Sequence, residues 1–130
     1  METSASRILL VDDEPALLKM VSAYLGRLGY AVTTANTTDK AWAEMEASPE
    51  SIAVAVLDAT MTGLSMPELA TRMLNANASL RVLTSSGYPV DITALEAAAP
   101  GRVAFLHKPF TPEMLAAAIR RMLAAQEENL

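Results

Sequence analysis

The chain lacks cysteine altogether among its 130 residues. Without thiols it can form no disulfide bond and no metal site built on thiolate ligands. Long hydrophobic runs are also missing, because the longest have six apolar residues, as at 52–57. A membrane-spanning helix needs ~20, and residues 1–7 carry no apolar stretch typical of a secretory signal. We therefore expect a cytoplasmic protein with no membrane segment.

Basic residues are scarce, with 10 Lys and Arg against 15 Asp and Glu and a formal net charge of −5. Nucleic acids and anionic membranes attract clustered positive charge, so this balance argues against either as a direct partner. Hydrophobic residues make up 52% and charged residues 19%, which is typical of a folded globular domain. We expect one domain over 1–130, with a core at about 7–125 and flexible termini at 1–6 and 126–130.

Short aliphatic runs alternate along the chain with segments whose apolar residues have helical spacing. The predicted strands lie at about 7–12, 30–35, 52–57, 80–85 and 102–106. The predicted helices lie between them, at about 14–28, 38–47, 66–74, 90–98 and from 112 onward. The helix caps are predicted at Asp13, at Thr37 or Thr38, and at Thr111, and Gly29 is predicted to end the first helix. This alternation predicts a parallel sheet with helices on both faces, a three-layer doubly wound α/β fold.

Polar side chains follow four of the five predicted strands. Asp12 and Asp13 end the first strand, Asp58 the third, Ser86 the fourth, and Lys108 the fifth. Ligands of such folds bind at the carboxyl ends of the strands, so these groups should converge on one edge. Three carboxylates that close would repel one another without a cation. Mg²⁺ prefers oxygen ligands of this kind.

The same cluster has the groups that phosphoryl transfer requires. Asp58 can attack phosphorus as a carboxylate nucleophile. Lys108 and the hydroxyl of Ser86 can contact the oxygens of the transferred group and offset their charge. The sequence therefore predicts a phosphoryl-acceptor site.

From about residue 7 to 125 the chain resembles the receiver domain of two-component response regulators. The segments that carry this resemblance are 8–15 (ILLVDDEP), 56–58 (VLD), 82–88 (VLTSSGY) and 105–110 (FLHKPF). Their order, with Ser86 and Lys108 22 residues apart, makes the combination specific. The resemblance implies a (βα)5 fold with a five-stranded parallel sheet in the order 2-1-3-4-5.

The resemblance implies that Asp58 accepts a phosphoryl group from a phosphohistidine on a sensor histidine kinase or a histidine phosphotransfer protein. The domain would then be a signalling module rather than an enzyme, catalysing only its own phosphorylation and slow dephosphorylation. Phosphorylation would change the surface of the fourth helix, fifth strand and fifth helix, through which a homodimer could form.

The resemblance also assigns a cation, Mg²⁺ or Mn²⁺, to the acidic residues. Asp13 and Asp58 would bind it directly, Asp12 largely through water, and Thr60 through its backbone carbonyl.

Three further residues receive roles from the resemblance. Lys108 would pair with the phosphoryl oxygens, and a cis peptide bond is expected between it and Pro109. Ser86 would supply the hydroxyl that moves toward the phosphoryl group. Phe105 would be the aromatic switch that turns inward in response, without the hydroxyl that a tyrosine would bring.

The loop after Asp58 departs from the family pattern. Thr62 stands where the family usually has proline, and Met66 stands where glycine is common. Gly63 and Pro67 are displaced relative to that pattern. We therefore expect this loop to follow a different path.

Three other functions compete with a phosphoacceptor. A hydrolase of the haloacid-dehalogenase type needs a second aspartate two residues after the nucleophile, where this chain has Thr60. A dinucleotide-binding domain needs a glycine-rich turn after the first strand, where this chain has Asp-Asp-Glu-Pro. A receiver-like interaction domain that is never phosphorylated is the third alternative, and the Asp58, Ser86 and Lys108 set argues against it.

Overall fold

The computed structural model describes residues 6–128, with the side chains of 6–124. Strands and helices alternate strictly in this range. Their bounds are β1 Arg7–Val11, α1 Pro15–Arg27, β2 Ala31–Ala35, α2 Thr38–Ala47, β3 Ile52–Asp58, α3 Met66–Ala76, β4 Arg81–Ser86, α4 Thr93–Ala98, β5 Val103–His107 and α5 Pro112–Glu128. No helix among 6–128 is long and apolar enough to cross a membrane. The flexible termini expected at 1–6 and 126–130 fall mostly on residues outside the described range, although α5 continues through Glu128.

The five strands form one parallel sheet in the order β2-β1-β3-β4-β5. Each strand pairs with its neighbour in parallel register, for example Ile8 with Val32 and with Val54. The predicted fold class and strand order are therefore confirmed.

Two hydrophobic cores lie on opposite faces of the sheet, because successive side chains of a strand point to opposite sides. In β1, Leu9 and Val11 enter the core beneath α2, α3 and α4. Ile8 and Leu10 enter the core beneath α1 and α5. A strand buried on both faces must be apolar at nearly every position, which explains the unbroken aliphatic runs of β1 and β3.

The helix starts agree with the predictions in two of three cases. The hydroxyl of Thr37 accepts the backbone N–H of Lys40 at 3.0 Å, and that of Thr111 accepts the N–H of Met114 at 3.1 Å. The predicted cap at Asp13 is wrong. Glu14 precedes α1, and within the described residues no side chain caps this helix.

The turn before α1 explains that error. Asp12, not Asp13, accepts a backbone N–H here, from Glu14 at 3.0 Å. Pro15 begins the helix and has no N–H to be capped. Gly29 ends the helix as predicted, with a φ of +101° that favours glycine.

The fourth helix is shorter than the predicted span of 90–98, because α4 begins only at Thr93. The carboxylate of Asp91 accepts the backbone N–H of Thr93 at 2.9 Å. Such a bond across two residues forms a local turn, which competes with helical hydrogen bonding in the preceding segment.

One arginine joins several chain segments at the end of the sheet opposite the carboxyl edge. The Nε of Arg102 donates to the carbonyl of Leu80 at 2.9 Å. Its Nη2 donates to the carbonyls of Leu74 at 3.1 Å and Asn77 at 2.6 Å. Arg102 therefore ties the start of β5 to the C-terminal end of α3 and to the start of β4.

We expect Arg102→Lys to lower the free energy of unfolding by about 1–3 kcal/mol, since an ammonium cannot reproduce the planar guanidinium contacts and leaves carbonyls unpaired. Urea unfolding measures this change. The matched control is Arg72→Lys, at an exposed i,i+4 pair with Glu68 (3.2 Å), which should shift stability by no more than about 0.5 kcal/mol. Equal losses of unfolding free energy in Arg102→Lys and Arg72→Lys would contradict the role of Arg102 in joining these segments.

Candidate functional site

The two central strands place two carboxylates side by side. Asp12 follows β1 and Asp58 ends β3, and both are buried, with 2% and 4% exposure. Asp13 is exposed next to them. One carboxylate oxygen from each of the three lies within 4.8 Å of the others. The predicted convergence at the carboxyl edge is present.

Lys108 brings the positive charge into this cluster. Its Nζ donates to Asp12 Oδ2 at 2.8 Å and lies 3.4 Å from Asp58 Oδ2. The carboxylate of Glu14 lies 3.5 Å away on the solvent side. The backbone N–H of Lys108 donates to the carbonyl of Ser86 at 2.8 Å, so β4 holds the lysine in place. The expected cis peptide bond between Lys108 and Pro109 is present.

Burial and the opposite charge of the partner shift the pKa values of Asp12 and Lys108 in opposite directions. Burial raises the pKa of Asp12, and the hydrogen bond from Lys108 only partly offsets that effect. Burial also tends to lower the pKa of Lys108. The hydrogen bond and charge of Asp12, together with those of Asp58, outweigh burial, so the pKa of Lys108 is raised. The lysine thus keeps its charge, while the cost of burying Asp12 is not fully compensated.

The two oxygens of Asp58 have different surroundings. Oδ1 accepts both the backbone N–H and the hydroxyl of Thr60, at 3.1 Å and 2.9 Å. Oδ2 faces Lys108. Thr60 was predicted only as a source of a backbone carbonyl, and the role of its hydroxyl was missed. The signal in the sequence is the aspartate itself, because aspartate side chains often bond the backbone N–H two residues further on.

Ser86 lies at the end of β4, buried to 1% exposure. Its hydroxyl accepts the backbone N–H of Tyr88 at 3.0 Å. That bond does not use the hydroxyl proton, so Ser86 can still donate to an incoming oxygen.

Phe105 lies within β5, outside the carboxylate cluster. Its side chain is half-buried, and its ring meets that of His107 edge-to-face with 6.1 Å between the centroids. Phe105 pairs with Thr84 of β4, two residues before the level of Ser86. The structure therefore places the predicted switch residue on the edge strand, next to the strand that carries Ser86.

The residues at this edge fit a hard divalent cation. Asp12, Asp13 and Asp58 offer an all-oxygen donor set whose atoms are close enough to share one ion. Lys108 supplies a single positive charge among several carboxylates, so the cluster retains net negative charge. The carboxylate of Glu14 was not predicted as part of this surrounding, although its place directly after Asp13 brings it to the same edge.

An open groove of about 550 Å³ adjoins Lys108. It lies between the start of α1 and the loops that follow β4 and β5, and its lining residues are Glu14, Leu17, Gly87, Tyr88, Lys108, Pro109 and Phe110. Tyr88 is 72% exposed there, a large value for an aromatic side chain. The carboxylate cluster is thus next to a surface that is partly apolar and accessible.

Two curated relatives match nearly the whole chain. The transcriptional regulatory protein FixJ of Bradyrhizobium diazoefficiens is 32% identical over 126 residues, covering 96% of this chain and 60% of FixJ. Sensor kinase CckA of Brucella abortus is 28% identical over 125 residues, covering 96% of this chain and 13% of the kinase. The chain thus spans less than two thirds of either relative.

A solved structure and a family model lead to the same family. The crystal structure of a CheY-like response regulator receiver domain protein from Methanospirillum hungatei JF-1 has a TM-score of 0.85 and 26% identity, covering 98% of this chain and all of that one. The family model described as the response regulator receiver domain matches residues 8–120. With this match, and with the acidic cluster and Lys108 at the carboxyl edge of a 2-1-3-4-5 sheet, the chain belongs to the response regulator receiver domain family.

Proposed function

We propose that this domain accepts a phosphoryl group on Asp58 from a phosphohistidine of a partner protein. The observation that carries this proposal is the position of the Asp58 carboxylate. It is buried at a strand end, fixed by Thr60 through one oxygen and presented to Lys108 through the other. A carboxylate in this state is oriented for attack and has a cation ready for the oxygens of the incoming group.

In the proposed step, an oxygen of Asp58 forms a bond to phosphorus while the bond from phosphorus to the donor imidazole nitrogen breaks. The electron pair of that broken bond stays on the nitrogen, and with a proton already on the other ring nitrogen the donor leaves as a neutral imidazole. Slow hydrolysis reverses the modification. Water attacks phosphorus, the Asp58 carboxylate leaves, and inorganic phosphate is released.

Lys108 and Ser86 would bind the oxygens of the transferred group. Lys108 already lies between Asp12 and Asp58, so a phosphoryl group on Asp58 would meet its ammonium without a large movement. The hydroxyl of Ser86 has a free proton to donate to another oxygen. Both contacts strengthen as charge develops on the phosphoryl oxygens.

A divalent cation, Mg²⁺ or Mn²⁺, completes the proposed site. Asp13 and Asp58 would hold it directly, Asp12 through water, and Thr60 through its backbone carbonyl. When bound, the ion would neutralise the carboxylates and the oxygens of the incoming phosphoryl group.

The proposed partner is a sensor histidine kinase or a histidine phosphotransfer protein. The groove beside Lys108 supports this choice. Its apolar residues Leu17, Pro109 and Phe110 provide a surface against which a partner protein can pack. A sensor kinase and a transcriptional regulator among the relatives contain segments similar to this chain. A cytoplasmic location belongs to the same proposal, and the surface of α4, β5 and α5 is proposed to change on phosphorylation and to mediate any homodimer.

The hydrolase alternative is disfavoured by the side chain two residues after Asp58. Thr60 occupies that position, and its hydroxyl donates to the Asp58 carboxylate. A threonine hydroxyl in this arrangement cannot serve as the general acid that a leaving oxygen would need.

Incubation with acetyl phosphate and Mg²⁺ should add the mass of one phosphoryl group to the wild-type chain and none to Asp58→Asn, since the amide is no nucleophile. Intact-mass spectrometry measures this difference. The matched control is Asp91→Asn at an exposed aspartate, which should be modified like the wild type. Equal modification of Asp58→Asn, or none of the wild type, would refute the proposed acceptor and favour a docking domain that is never phosphorylated.

Asp13→Asn should raise the Mg²⁺ concentration for half-maximal phosphorylation by about tenfold or more, because it removes one ligand charge from the cation. Phosphorylation rates across a Mg²⁺ titration measure this shift, and excess EDTA should abolish modification. Asp39→Asn, at an exposed aspartate in the first turn of α2, serves as the control and should leave the titration unchanged. An unchanged midpoint in Asp13→Asn would exclude this residue as a ligand.

Lys108→Met should slow phosphorylation roughly tenfold or more at saturating Mg²⁺, because the phosphoryl oxygens lose a preorganised cation. Methionine keeps much of the length of the side chain without its charge. Lys40→Met, at an exposed lysine of α2, should phosphorylate at the wild-type rate. A Lys108→Met rate within twofold of wild type would remove the lysine from the proposed mechanism.

A further inference from the structure

One side chain of α2 makes two hydrogen bonds to the loop 59–65 between β3 and α3. The hydroxyl of Thr38, the first residue of α2, donates to the carbonyl of Thr62 at 3.3 Å. The same hydroxyl accepts the backbone N–H of Leu64 at 3.0 Å. Thr38 is buried, with 3% exposure, so this oxygen has little access to water as an alternative partner. We call these two hydrogen bonds the Thr38 anchor.

The backbone between the two bonded residues passes very close to the threonine. A Cβ atom added at Gly63 would lie only 2.5 Å from Thr38 Oγ1, and the φ of Gly63 is +98°. Both the contact and the backbone conformation require glycine here. The displaced Gly63 therefore has a physical reason in this chain, since it lets the loop wrap around the hydroxyl of Thr38.

The loop that the anchor holds also carries Thr60, whose N–H and hydroxyl fix the carboxylate of Asp58. Only Met61 separates Thr60 from the anchored residues 62–64. Asp58 itself is fixed by pairing with Ser85 of β4. The short segment after Asp58 is thus held at its strand end and at the Thr38 anchor, and Thr60 lies between these two fixed points.

We infer that Thr38 is a positioning residue for phosphorylation, which acts by holding the loop 59–65 so that Thr60 orients Asp58. This inference rests on the proposed function of Asp58. Thr38 does not touch the reacting atoms. Removal of its hydroxyl leaves the carbonyl of Thr62 and the N–H of Leu64 unpaired. The loop then moves outward, because both groups can bond to water there.

The test compares Thr38→Val, Thr38→Ser and wild type in acetyl phosphate labelling at saturating Mg²⁺. Valine keeps the shape of threonine without the hydroxyl, and we expect the maximal rate to fall roughly 3- to 10-fold, the effect of losing about one net hydrogen bond. Serine retains the hydroxyl and should stay within about twofold of wild type. The matched control is Thr71→Val, whose hydroxyl donates to the Pro67 carbonyl at 2.8 Å within α3 and which should keep the wild-type rate.

A second measurement needs no phosphorylation. The N–H of Leu64 should exchange with solvent faster in Thr38→Val than in wild type, and Thr38→Ser should restore its protection. If Thr38→Val labels at the wild-type rate, or if Thr71→Val is slowed as much as Thr38→Val, the positioning role is overturned. If the wild type is not labelled at all, the proposed function fails, and unchanged Leu64 exchange in Thr38→Val would then overturn the anchor as well.

Discussion

The contact of Lys108 with Asp12 and Asp58 is the interaction on which the site depends. Two carboxylates at the ends of the central strands are buried almost completely, and such charges are costly without a partner. The ammonium of Lys108 lies within 3.4 Å of an oxygen of each. Lys108 compensates the burial of Asp12 only in part, because burial raises the pKa of Asp12 in spite of the hydrogen bond from the lysine. The carboxylates of Asp12, Asp13 and Asp58 outnumber the ammonium of Lys108, so this edge is suited to bind a further cation.

The rest of the fold brings these groups together and keeps them in place. The aliphatic residues of β1 and β3 are buried on both faces, so the strands that carry Asp12 and Asp58 are held between the two cores. Lys108 directly follows β5, which is an edge strand of the sheet. Its backbone N–H donates to the carbonyl of Ser86, which fixes its position. The site is therefore built on rigid strand ends, while the loops around it supply Thr60 and the open groove.

Most of the architecture could be predicted from the sequence because buried parallel strands and amphipathic helices leave strong periodic patterns. The strand order could not be derived from those patterns. It followed from the family resemblance, because hydrophobic residues on both faces fit several orders. The cap at Asp13 was mispredicted because two adjacent aspartates compete for one turn, and only the three-dimensional path shows that Asp12 makes the bond.

The residues of the candidate site that directly follow strands could be predicted from the sequence. The contacts that depend on the path of the loop 59–65 could not. Asp12, Asp13, Asp58 and Lys108 converge because parallel strands end at the same edge. The Thr38 anchor was missed because it joins residues more than twenty positions apart through a hydroxyl, and neither end has a sequence signature. Gly63 is the one visible trace of it, as a glycine out of place in the family pattern.

We expect the carboxylate of Asp58, and no other, to become an acyl phosphate in a reaction that needs a divalent cation. Peptide mapping after borohydride reduction tests it most directly, because reduction converts an aspartyl phosphate into homoserine at the modified position. Homoserine should appear at position 58 alone after incubation with acetyl phosphate and Mg²⁺, and at no position when EDTA is present. Homoserine at position 12 or 13, or modification at position 58 that persists in EDTA, would contradict it.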